Sequence, residues 1–132
     1  MNLLALDIGL RKTGVAFGET KSGILMALDT LRHESNDELT EKVSKIVRNK
    51  KIDQLIVGLP LLPSGEEGTQ STLVREAAKT IEATTGLHAE FLDERYTTKA
   101  AFTAKGSDPD AIAACALLTV KMDRKNAIDT SV

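Results

Sequence analysis

The run Leu3-Leu4-Ala5-Leu6 is apolar at every position and ends on Asp7-Ile8-Gly9. It is too short and too continuously apolar for a helix, so Asn2 to Asp7 reads as a strand buried on both faces. A buried strand that stops on a carboxylate and turns through glycine puts negative charge at the lip of a core. Asp7 there either holds a divalent cation or caps the turn at Gly9. Taken alone, the residue supports both readings.

Downstream, Gly14 to Glu19 reads as a second strand, Thr20-Lys21-Ser22-Gly23 as a hairpin turn and Ile24 to Leu31 as a third strand. Such short connections predict an antiparallel meander. A helix follows to about Lys50, capped by Asn36 or Asp37, with Leu39, Val43, Ile46 and Val47 at helical spacing. Gln54 to Gly58 is a fourth strand, ended by Pro60 and Pro63. A helix from Thr69 to Thr84 stops at Gly86, and Leu87 to Leu92 is a fifth strand. A short helix is predicted from Thr97 or Thr98 to Ala104. The last helix starts at Asp108-Pro109, an N-cap followed by proline at N1. A meander followed by alternating helix and strand gives an α/β fold: a five-stranded mixed sheet with helices on both faces. With 132 residues there is room for one domain, 1–123, and a polar, frayed tail, 124–132.

Aromatics are only 3% of the chain, so rows of rings for base stacking are excluded. A net charge of -2 argues against non-specific coating of nucleic acid, but leaves room for an acidic metal site beside local basic patches. The single cysteine, Cys115, offers neither a disulfide nor zinc-ligand spacing and implies a reducing, cytoplasmic setting. No basic leader segment is visible at the start. No apolar run approaches the ~20 residues of a membrane span.

Two further acidic positions stand at predicted element ends: Asp93-Glu94 after the fifth strand, and Asp110 in the first turn of the last helix. Each has a plain structural alternative. Asp110 gains from the helix dipole, Asp93 could accept backbone amides, and Glu94 could pair with Arg95. Arg11 and Lys12 lie in a turn, where basic residues are commonly just solvated. His33 and His88 have no partners at ligand spacing, and Cys115 lies among small apolar neighbours.

Read together, the strings Asp7-Ile8-Gly9, Arg11, Gly14-Val15-Ala16, Val57-Gly58-Leu59-Pro60-Leu61, Asp93-Glu94-Arg95-Tyr96-Thr97-Thr98 and Asp110 with Ala113-Ala114 resemble the YqgF/RuvX family. These are Holliday junction resolvase relatives also described as pre-16S rRNA processing nucleases. The resemblance runs in order from Asn2 to about Asp123. It implies a ribonuclease H-like fold and phosphodiester hydrolysis with magnesium or manganese, hard cations suited to carboxylate oxygen. It implies Asp7, Glu94 and Asp110 as metal ligands. Strand alternation lets one of Asp93 and Glu94 face the site; Glu94 is preferred for its reach, and Asp93 remains the alternative. Arg11 and Arg95 become candidate phosphate contacts, and Gly58 a place where substrate passes close to the backbone.

The implied partner is nucleic acid: structured RNA first, branched DNA second, with ribosomal precursor particles as the setting and a monomer or weak dimer as the form. Family members carry a longer, more basic link than Lys99 to Pro109, where only Lys99 and Lys105 are basic. That weakens the case for gripping a large duplex or junction. The rivals are a dimeric four-way-junction resolvase and a non-catalytic nucleic-acid or ribosome-binding protein of the same fold.

Overall fold

The computed structural model describes residues 1–94 and 109–130, those from 124 onward by backbone alone. The apolar run forms β1 (Asn2–Ile8), in which Leu3, Leu4, Ala5 and Leu6 are fully buried. β2 (Lys12–Glu19) returns antiparallel to it through a tight turn, where the Gly9 N–H donates to the Lys12 carbonyl.

The third strand departs from expectation. It is two short pieces, β3 (Leu25–Ala27) and β4 (Leu31–Arg32), both antiparallel to β2. Among the described residues the sheet therefore has six strands, not the five expected. The register gives the reason. Ala16 pairs with Ala27 but Thr13 pairs with Leu31, so Leu28, Asp29 and Thr30 face only Gly14 and Val15. The extra residue is a β-bulge, which bends a strand and interrupts its ladder. Leu28 still donates its N–H to the Val15 carbonyl, so the break falls at Asp29 and Thr30.

β5 (Gln54–Leu59) and β6 (Ala89–Asp93) add in parallel on the other edge of β1. The order is β3-β2-β1-β5-β6, with β4 also on β2.

α1 (Asn36–Lys50) is capped by Ser35, not by Asn36 or Asp37. The Ser35 Oγ accepts from the Glu38 N–H at 3.1 Å, and the Glu38 carboxylate accepts from the Glu34 N–H. This cap leaves Asp37 and Glu38 in the first turn, where the helix dipole favours them. α2 (Thr69–Thr85) ends at Gly86, whose φ of 74° suits a residue without a side chain. α3 (Pro109–Thr130) begins at the expected proline. Polarity after Asp123 predicts fraying, yet the helix continues to Thr130. The short helix predicted between Thr97 and Ala104, and the Asp108 cap, lie outside the described residues.

Strand alternation divides the core into two layers. Leu4, Leu6, Val15, Leu55 and Val57 pack under α1 and α2. Leu3, Ala5, Ala16, Ile56 and Leu92 pack against Ala114, Cys115, Leu117 and Leu118 of α3. Ala114 and Cys115 are small, so α3 can lie close to the sheet. Among the described residues no helix is long and apolar enough to cross a membrane.

Candidate active site

Asp7 continues the series Leu3, Ala5 and so belongs to the α3 face of the sheet. Gly14 pairs with it across the β1–β2 ladder. On the other side, Leu6 pairs with Val57, which sets Gly58 alongside Asp7. Gly58 in turn pairs with Leu92 of β6. The next residue of that series is Glu94, one step past the strand. Four neighbouring chain segments thus present Gly14, Asp7, Gly58 and Glu94 at one end of one face.

Both glycines are there because something else fills their space. A Cβ on Gly58 would stand 2.4 Å from Glu94 Oε1 and 2.9 Å from its Cγ. The Glu94 side chain therefore folds back over the backbone beside Asp7. A Cβ on Gly14 would stand 1.8 Å from the Asp110 carbonyl oxygen. The first turn of α3 consequently rests directly on β2, opposite Asp7. Its carboxylate points elsewhere: Asp110 Oδ2 lies 3.9 Å from Lys12 Nζ, both side chains partly exposed.

A cavity of about 340 Å³ opens at this end of the sheet, with Asp7 and Glu94 in its wall. Asp110 is not part of that wall. Asp93 follows Ala89 and Phe91 onto the opposite face, under the α1–α2 layer. Arg11 is exposed at the β1–β2 turn, where its carbonyl accepts from the His33 N–H, and it does not line the cavity. Arg95, and the link from Lys99 to Asp108, lie outside the described residues.

Among the described residues no three His, Cys, Asp or Glu side chains gather closely enough to hold a metal ion together. The geometry instead supplies a pair, Asp7 and Glu94, in one cavity, with Asp110 a short distance away on Lys12. Magnesium is commonly bound in this way, by one or two carboxylates with waters and substrate phosphate completing its shell. The donor set therefore fits a hard divalent cation.

Beneath the turn, His33 is 4% exposed and its Nε2 lies 2.8 Å from the Thr13 hydroxyl. Burial pushes its imidazole below the ordinary 6.5. Its Nδ1 is buried with no hydrogen-bond partner among the described residues. Burial likewise raises the Cys115 thiol, which sits in the α3 layer of the core. Both are buried, and neither lines the cavity.

Two residues of the site carry more than the sequence suggests. Lys12 is a solvated turn cation by position, yet it is the partner of Asp110. Gly14 is one glycine among nine. Its signal is its place inside a strand, where a missing side chain marks close approach of another backbone.

A six-stranded mixed sheet with α1 and α2 on one face and α3 on the other, and carboxylates at the strand ends, defines a ribonuclease H-like α/β protein. Two solved structures share this fold: Thermus thermophilus RuvC in complex with Holliday junction substrate, at TM-score 0.73, 10% identity and 96% of each chain, and the fowlpox virus Holliday junction resolvase, at 0.57, 13%, and 94% of this chain and 99% of that one. At those identities the likeness is one of fold alone. The family model described as RuvX, Holliday junction resolvase, matches residues 1–124. Curated relatives named "Putative pre-16S rRNA nuclease" include one from Chromobacterium violaceum, 38% identical over 72% of this chain and 69% of its own length. Another, from Chloroflexus aurantiacus, is 32% identical over 75% of this chain and 65% of its own. This chain belongs to the RuvX family.

Proposed function

We propose that this protein is a metal-dependent nuclease that hydrolyses phosphodiester bonds of structured RNA, acting in 5′-end processing of pre-16S rRNA. One observation carries the chemistry: Asp7 and Glu94, 87 positions apart in sequence, share the wall of one cavity beside a glycine that leaves room for them. The RNA substrate is supported by the names of the curated relatives.

Asp7, at the rigid end of β1, and Glu94, folded over Gly58, would hold magnesium or manganese. Such ions, when bound, supply an activated water, charge relief on phosphate oxygens and help to the leaving oxygen. Asp110 is the third proposed ligand, carried to the sheet by the contact of α3 with Gly14. Lys12 balances its charge meanwhile. Glu94 takes precedence over Asp93, which alternates to the other face. Arg11 and Arg95 are proposed to hold substrate phosphates, and Gly58 lets the strand pass close. The setting is cytoplasmic, on ribosomal precursor particles, as a monomer or weak dimer.

A second reading, a four-way-junction resolvase, is favoured by the description of the family model. It requires a two-fold dimer, because symmetric nicking needs two sites. Cleavage of a pre-16S rRNA leader fragment and of a four-way DNA junction, each with magnesium, manganese or chelator, separates the readings. The expected result is cleavage of the RNA with metal only, abolished in Asp7→Asn. Activity that persists in chelator, or in that variant, contradicts the mechanism.

A further inference from the structure

Carboxylates occupy only part of the cavity. Its other side is aliphatic, formed by Leu10 from the β1–β2 turn and by Leu73 and Val74 from α2, with Gln70 also in the wall. Leu10 is 71% exposed and Gln70 is exposed, while Val74 is buried at the back. A lone exposed leucine says little. This one belongs to the same cavity as the carboxylates, and its neighbours there are apolar. Phosphate and cation are held by polar groups, which leaves this wall to meet an apolar part of the substrate.

We propose that the aliphatic side receives the nucleobase next to the scissile phosphate, taken out of its stack, and that the Gln70 amide reads its edge. This rests on the nuclease reading above and names how the site selects its substrate. A phosphate held by the cation proposed at Asp7 and Glu94 would bring its attached nucleoside into the same cavity. An unstacked base offers two apolar faces and an edge of donors and acceptors. Leu10 and Leu73 can cover the faces, as apolar side chains do in enzymes that act on extruded bases. Among the described residues the cavity wall holds no aromatic ring, so aliphatic side chains supply the cover. A side-chain amide carries one donor and one acceptor group, which suits adenine best. The volume of about 340 Å³ is at the small end for ligand sites, enough for one base and not for a duplex end.

Two experiments test this. In the first, the protein digests a random-sequence single-stranded RNA pool with manganese, and the cut ends are sequenced. The expected result is a base preference of roughly tenfold at one nucleotide flanking the cut, flattened in Gln70→Ala whatever the overall rate. Equal base use at both flanking positions, or an unchanged preference in the variant, overturns the proposal while leaving the nuclease reading intact. In the second, wild-type protein with calcium in place of manganese is mixed with an RNA carrying 2-aminopurine, whose fluorescence rises when it leaves the stack. A rise on binding that is lost when Leu10→Ala is added supports the pocket. No rise, or one indifferent to Leu10, overturns it. Should the protein cut nothing, the nuclease reading fails on its own and this second measurement still decides the pocket.

Discussion

Gly14→Ala is the perturbation whose consequence follows most directly from the structure. The new methyl carbon would lie 1.8 Å from the Asp110 carbonyl oxygen and 2.2 Å from its carbonyl carbon, where ordinary contact begins at 3.4 Å. Both are backbone atoms, so no rotamer change relieves the clash. The first turn of α3 must retreat from β2 by about 1.6 Å, the difference between ordinary contact and the oxygen distance. Overpacking of this kind costs about 1–3 kcal/mol. In the proposed centre it also moves Asp110 away from Asp7, and misplacement by 1 Å can cost roughly a hundredfold in rate.

Gly18→Ala is the matched control on the same strand and face. Its methyl would meet Leu118 Cδ1 at 3.2 Å and Met122 Sδ at 3.3 Å, ends of side chains that can yield. Replacing a strand glycine by alanine also recovers about 0.5–1 kcal/mol of backbone entropy, so this variant should be near neutral. Urea denaturation read by linear extrapolation, with kcat/KM alongside, makes the comparison. A Gly14→Ala protein within about 0.5 kcal/mol of wild type, or a Gly18→Ala protein equally damaged, would refute the close contact between α3 and β2.

Gly58→Ala separates binding from folding: its methyl would sit 2.4 Å from Glu94 Oε1, the movable end of a side chain. Stability should therefore change by less than about 1 kcal/mol while manganese affinity falls roughly 10–100-fold, measured by calorimetry; unaltered affinity would remove Glu94 from the ligand set. His33 predicts a pH effect. Burial, reinforced by Lys42 and opposed by Glu38, holds its imidazole below 6.5. The unfolded chain then binds that proton more readily, so stability falls as pH drops below 6.5 and levels off above it. Urea midpoints from about pH 5 to about pH 7.5 should show this slope in wild type and lose it in His33→Gln, and a wild-type slope unchanged by the substitution would contradict the assignment.

What the sequence made legible was whatever depends on local pattern. β1 and Asp7 were readable because four consecutive apolar residues admit one structure, and α2 because Gly86 stops it. The choice of Ser35 over Asn36 or Asp37 was not, since all three are competent caps. The bulge between Ala27 and Leu31 depends on where β2 lies, and so is invisible from the strand itself. Alternation could say that one of Asp93 and Glu94 faces the site. Only the pairing of Gly58 with Leu92, and Glu94 folding over that glycine, points to Glu94. The contact of Lys12 with Asp110 joins residues 98 positions apart and carries no local signal.

The proposed hydrolysis requires oxygen ligands from opposite ends of the chain to act on one ion. Calorimetric titration of manganese into the wild type and into Asp7→Asn, Glu94→Gln and Asp93→Asn reads this directly. Losses of at least tenfold in the first two variants, with Asp93→Asn binding as wild type, are predicted. Undiminished binding in Asp7→Asn and Glu94→Gln would mean that the cavity is not a metal centre.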